Sequence, residues 1–128
     1  MGVFRKVQMI FALSLSLAFA CLGNLPSYAF EKSGGVERIG AAELPKEARE
    51  TLQLVRKGGP YPYSQDGVTF SNRERILPKE ARGFYREYTV KTPGVRSRGA
   101  RRIICGGRQQ NICYYSADHY ASFKQIKE

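Results

Sequence analysis

One histidine occurs in the 128 residues, His119, in the run Asp118-His119-Tyr120. Upstream stand Glu87, within Tyr85-Arg86-Glu87-Tyr88-Thr89-Val90, and the arginines Arg96, Arg98, Arg101 and Arg102. Imidazole is the one side chain whose unperturbed pKa lets it exchange a proton near neutrality. A carboxylate, a cluster of guanidiniums and an imidazole are the parts of a phosphodiester cleavage: a base, an anion clamp and an acid. A guanidinium beside a carboxylate favours the ionised form that a base needs. Two guanidiniums converging on one phosphate would fit its oxyanion geometry. Each part also has an ordinary reading. Glutamate and arginine on neighbouring strands make common cross-strand ion pairs. Clustered arginines are often a solvated edge, and a lone histidine is more often a surface residue than a catalyst. Asp118 could orient His119, although adjacent residues on a strand face opposite ways.

These groups need a frame. Leu44, Ala48, Leu52 and Val55 recur at helical spacing. Pro45 can begin that helix, and Gly58-Gly59-Pro60 stops it. Glu47 and Glu50 lie early and Arg56 and Lys57 late, as the helix dipole favours. Tyr61 to Gly67 reads as a turn-rich loop. After it the expected elements are strands: Val68–Phe70, Phe84–Val90, Arg101–Cys105, Cys113–Ser116 and Tyr120–Phe123. One helix followed by a run of strands predicts an α+β fold, with the N-terminal helix packed on a single antiparallel sheet. Alternation puts Tyr85, Glu87 and Thr89 on one face of their strand, and Arg102 and Ile104 on one face of the next. A suitable hairpin register would make Glu87 and Arg102 project together.

The first 29 residues read as a leader rather than as part of this fold. Arg5 and Lys6 precede the apolar run Met9–Leu22, and Ser27-Tyr28-Ala29 is a small-residue site. This is the order of a secretory signal peptide, and the run is too short to span a membrane. Cleavage is expected after Ala29. A cut after Ala20, leaving Cys21 first and open to lipidation, is the rival. Residues 30–43 are expected to be a loose arm, and residues 44–128 the functional domain. The formal net charge of +10 favours a polyanion, either nucleic acid or an anionic membrane surface. It is also compatible with a merely soluble protein. No long amphipathic basic helix supports a membrane-active protein, so no stable membrane association is expected once the leader is gone.

Cys105 and Cys113 remain as an even pair, and export favours a disulfide between them. They flank residues 106–112, so the bond would staple a hairpin, a constraint of about 2–3 kcal/mol by the chain-entropy estimate. Free thiols are the alternative. The pair lacks zinc-ligand spacing, so no metal site is expected.

Read in order, the motifs carry more than any one of them. Phe70-Ser71-Asn72-Arg73-Glu74, then Tyr85-Arg86-Glu87, the arginine segment, and Asp118-His119-Tyr120 with Phe123 resemble the small secreted bacterial guanyl-preferring ribonucleases of the barnase type. Pro62-Tyr63-Ser64-Gln65-Asp66-Gly67 and Thr92-Pro93-Gly94-Val95-Arg96-Ser97-Arg98-Gly99 are similar to the Streptomyces-type variant of that family. The resemblance runs from about Leu44 to Ile126. It implies a microbial ribonuclease fold and cleavage of single-stranded RNA after guanosine, through a 2′,3′-cyclic phosphate and without cofactor or metal.

On this chain the resemblance makes Glu87 the base for the 2′-OH and His119 the acid for the leaving 5′-oxygen, with Arg98 and Arg102 at the phosphate. It also implies that the backbone of Asn72 and Arg73 meets guanine O6 and that the Glu74 carboxylate meets the N1 and N2 protons. Tyr120 and Phe70 would contact the base, and Tyr63 and Gln65 would lie near the phosphate. It further implies a monomer and a barstar-like acidic protein inhibitor. The chain departs from the variant in its disulfide, which does not join the chain ends, and in Ser71, where a longer polar residue can occur. A basic RNA-binding module without catalysis is the alternative function.

Overall fold

The computed structural model describes residues 35–128. The expected leader therefore lies outside the described residues. Helix α1 spans Lys46–Lys57. It begins after Pro45 and ends at Gly58, whose φ of 84° needs no Cβ and whose N–H donates to the Leu54 carbonyl at 2.9 Å. Its buried face is Ala48, Thr51, Leu52 and Val55. Leu44 is buried beside them, just ahead of the first turn.

Five strands follow the order β1-β5-β4-β3-β2: β1 Glu37–Gly40, β2 Tyr85–Thr89, β3 Arg102–Gly106, β4 Ile112–Ser116 and β5 Lys124–Lys127. β2 to β5 form antiparallel pairs, whereas β1 runs parallel to β5, with Ile39 opposite Ile126. The sheet is therefore mixed, which corrects the expectation of a purely antiparallel one. Residues 37–40, read from sequence as part of a loose arm, form this edge strand. The segment carries little apolar pattern because only Ile39 packs on the core, and its pairing comes from a strand distant in sequence.

Two further differences concern the aromatic segments. Tyr120–Phe123 is not a strand; the last strand begins at Lys124. His119 and Tyr120 have φ of 53° and 71°, and the Asp118 carboxylate accepts from the Ser122 N–H and hydroxyl, so the chain turns there instead of extending. Val68–Phe70 makes a single bridge, Thr69 to Arg86, although Phe70 donates to Tyr85 and Glu87 to Val68 through the backbone at 2.9 Å.

α1 covers one sheet face. Tyr88, Val90, Ile103, Cys105, Cys113, Tyr115 and Ile126 pack there with the helix residues. The opposite face buries Leu77, Tyr85, Ile104, Tyr114 and Phe123 under loops. Cys105 and Cys113 stand opposite each other in register and are joined by the expected disulfide. Among the described residues no helix is long and apolar enough to cross a membrane.

Candidate active site

The register pairs Glu87 with Ile104 and Thr89 with Arg102, so all four side chains share the face that α1 does not cover. Glu87 and Arg102 do project together, but diagonally. The carboxylate's ionic partner is Arg98, whose Nη2 lies 3.0 Å from Glu87 Oε1. Arg98 Nε donates to Thr89 Oγ1 at 2.7 Å, which fixes the guanidinium along the strand. Tyr120 joins the remaining parts. Its hydroxyl donates to Glu87 Oε2 at 2.5 Å and accepts from Arg102 Nε at 3.2 Å. Burial, with the Glu87 carboxylate beside it, raises the Tyr120 phenol above its ordinary value, so it remains a donor.

Arg102 is only 3% exposed, and its Nη1 donates to the Gly99 and Arg101 carbonyls at 2.9 and 2.7 Å. The 98–102 segment thus carries both guanidiniums of the site and braces the second with its own carbonyls. Gly99 sits at φ 70°, and a Cβ there would stand 2.5 Å from Thr92 Oγ1, so glycine alone fits. The same segment holds the histidine turn, since the His119 N–H donates to the Ala100 carbonyl at 3.0 Å. The exposed His119 ring lies against Tyr120, with centroids 4.7 Å apart.

Glu87, Arg98, Arg102 and His119 are therefore linked through contacts to Tyr120 or to one another. Arg101 turns to the helix side, 3.9 Å from Glu47, and Arg96 is exposed. Asp118 does not orient His119. Its carboxylate takes hydrogen bonds from Ser122 and Ser116, and these hold its pKa below the usual carboxylate value.

A cavity of about 300 Å³ runs from this cluster to the 69–76 loop. Phe70, Asn72, Arg73, Glu74, Glu87 and Tyr120 are among the residues that line it, with Phe123 at its side. Phe70 and Tyr120 lie with ring centroids 5.0 Å apart. Asn72 takes φ 52°, its carboxamide holds Leu77 through both N–H and carbonyl, and its own carbonyl accepts from Arg75 at 3.0 Å. The Asn72 side chain is thus spent on shaping the loop. Among the described residues the N–H groups of Asn72, Arg73 and Glu74 donate to no protein acceptor.

Tyr63 and Gln65 lie apart from this cavity. Tyr63 lines a different hollow with Glu47, Glu50 and Lys91, and Gln65 is exposed beside Ser64. Asp66, between them and β2, anchors their loop by accepting from the Thr89 N–H at 2.7 Å. Among the described residues no group of three or more His, Cys, Asp or Glu side chains could hold a metal.

Sequence reasoning missed Thr89 and the hydroxyl function of Tyr120. Strand alternation with Glu87 already placed Thr89 on the open face. Nothing in the sequence pointed the Tyr120 hydroxyl at Glu87, because that contact depends on the left-handed turn at residues 119–120.

A small helix-on-sheet domain with two guanidiniums and an imidazole in contact with one carboxylate or its tyrosine partner is the frame of an RNA-cleaving enzyme, and this chain belongs to the ribonuclease family. The family profile, described as ribonuclease, matches residues 29–127. Its relatives include the guanyl-specific ribonuclease Sa3 of Kitasatospora aureofaciens, 56% identical over 71% of this chain and 64% of that protein. The guanyl-specific ribonuclease Sa of the same organism is 56% identical over 66% of this chain and 88% of its own length. The crystal structure of ribonuclease Sa2 with guanosine-2′-cyclophosphate superposes with a TM-score of 0.68 at 47% identity, covering 73% of this chain and 97% of that one.

Proposed function

We propose that this chain is an endoribonuclease that cleaves single-stranded RNA after guanosine. The observation that carries the reading is the Glu87 carboxylate, fixed by Arg98 and Tyr120 on the wall of the cavity that the 70–74 loop encloses. The similarity to guanyl-specific ribonucleases supports the same choice of base.

Guanine enters the cavity between Phe70 and Tyr120. The free N–H groups at Asn72 and Arg73 suit its O6, and the Glu74 carboxylate suits its N1 and N2 protons. In the first step Glu87 takes the proton of the ribose 2′-OH, and the 2′-oxygen attacks phosphorus. The bond from phosphorus to the 5′-oxygen breaks as the His119 imidazolium gives that oxygen a proton. Arg98 and Arg102 stabilise the charge that builds on the equatorial oxygens, and being held in place they cost no reorganisation. Hydrolysis reverses the roles. His119 takes a proton from water, water attacks the 2′,3′-cyclic phosphate, and Glu87 returns a proton to the 2′-oxygen. DNA lacks this nucleophile.

The protein acts as a secreted monomer. The Cys105–Cys113 disulfide supports an oxidising compartment. The guanidinium cluster and the positive charge suit an acidic protein inhibitor of the barstar kind. Digestion of a mixed-sequence RNA in excess EDTA tests the reading. Products ending in guanosine 2′,3′-cyclic phosphate, then guanosine 3′-phosphate, are expected. Intact RNA, or ends without base preference, would refute it.

A further inference from the structure

The 69–73 segment has a second hollow. About 500 Å³ of space shares the wall Thr69–Arg73 with the guanine cavity but opens onto residues 79–82 instead of onto Glu87 and Tyr120. Four cations line it, Arg73, Arg75, Lys79 and Arg82, against one carboxylate, Glu80. Among the described residues none of the four makes an ion pair within 4.0 Å, so their charge is not spent inside the protein. All four are exposed. Arg75 is held at φ 53° by its N–H bond to the Asn72 carbonyl, in the loop that Asn72 fastens to Leu77. Arg73 and Arg75 therefore stand on an ordered loop, and Lys79 and Arg82 line the hollow from the segment that follows it. None belongs to the catalytic cluster, and a hollow of this size admits a nucleotide.

We propose that this cavity is an anion subsite for the phosphate on the 5′ side of the bound guanosine. The inference rests on the function proposed above, because that reading fixes the strand's direction. The 3′-phosphate lies at Glu87 and His119, so only the upstream strand is left to reach a cavity that shares the base-recognition loop and none of the catalytic groups. Guanidiniums and an ammonium together hold a phosphate without reading its base. The subsite raises affinity for longer RNA and leaves the preference for guanine alone.

The test compares two substrates in the protein carrying Arg75→Gln, Lys79→Gln and Arg82→Gln. Guanylyl-3′,5′-cytidine has no upstream phosphate; the tetranucleotide ApApGpC has two. For the tetranucleotide, kcat/KM should fall about tenfold, through KM, and the dependence of log(kcat/KM) on log salt should flatten by about 0.7 for each phosphate that is no longer neutralised. The dinucleotide should be cleaved at the unaltered rate. An equal loss on both substrates, or none on the tetranucleotide, overturns the subsite. Lys79→Gln alone should give a smaller loss of the same pattern and serves if the triple variant does not fold. Binding of the fluorescently labelled 2′-deoxy tetranucleotide separates this outcome from failure of the function itself. If the unaltered protein cleaves neither substrate, the function fails. Equal binding by protein and variant would then end the anion site itself, whereas weaker binding by the variant would uphold an anion site there and overturn only its assignment to the upstream phosphate.

Discussion

The two faces of the sheet are built from the same strands and do opposite work. Beneath α1, Tyr88, Val90, Ile103 and Cys105 alternate with Glu87, Thr89, Arg102 and Ile104 above. The helix face is closed and apolar, and Ile103 is 0% exposed. The open face is apolar only where loops cover it, around Ile104, Tyr114 and Phe123. At its far end it carries Thr89, Arg102 and Ser116 in one cross-strand row. A period of two thus lets five residues of β2 supply both a core and a site. Because the core residues are rigidly packed, Glu87 needs only Arg98 and Tyr120 to be placed. The separation predicts that changes on one face should leave the function of the other intact.

The largest effect should come from the open face. Glu87→Gln and His119→Ala are each expected to lower kcat/KM on RNA by about 10² to 10⁴, the span of a lost acid or base. The thermal midpoint should stay within a few degrees of the parent, because neither side chain belongs to the buried core. Either variant keeping full activity removes that residue from the chemistry. Collapse of the fold in both would show that the two faces are not separable. Glu74→Ala belongs to the same side. Its carboxylate lines the cavity from an exposed loop, so preference for guanosine over adenosine should drop while melting is unchanged. An unaltered base preference would take Glu74 out of recognition.

The converse variant lies one residue from Arg102. Ile103→Ala removes a fully buried side chain between α1 and the sheet and should cost about 2–5 kcal/mol in denaturant unfolding. For a domain of this size that is a large share of the total. Activity per folded molecule should survive at temperatures where the variant is still native. A fall in kcat as deep as that of Glu87→Gln would mean that the core sets the chemistry directly.

How far the sequence could be read follows the same division. The helix was legible because its apolar spacing, its charges and its glycine stop all agree over Leu44–Gly58. Strands β2 to β4 were legible because β-branched and aromatic residues are concentrated in them. β1 was hidden: its pairing depends on β5, nearly ninety positions away in the chain, and a short polar edge strand has little local signal. The turn at His119 and Tyr120 was hidden too, because two left-handed non-glycine residues contradict their local propensity. The aromatic residues there suggest a strand and instead line the cavity beside Glu87. The residue types of the site could be picked out from the order of motifs. Their contacts could not, since Arg98 reaches Glu87 from a loop whose path the sequence does not disclose.

The faintest expected effect is a response to alkali that both faces share. Burial raises the phenols of Tyr85, on the open face, and Tyr88, on the helix face, to about 12. The hydroxyl of Tyr85 donates to the Pro78 carbonyl at 2.6 Å, and that of Tyr88 to the Gln110 side chain. A group whose pKa is higher in the folded chain than in the unfolded one binds its proton more tightly when folded. Its stabilisation is therefore complete below the unfolded value near 10 and is lost as pH climbs through the folded value near 12. Denaturant midpoints should be flat up to about pH 10 and then decline. Tyr85→Phe and Tyr88→Phe should each soften that decline by a similar amount, since burial is the first cause in both. A decline that only one of them relieves would show that the two faces differ in how firmly they exclude hydroxide and water, and would sharpen the contrast between a core sealed by a helix and one sealed by loops.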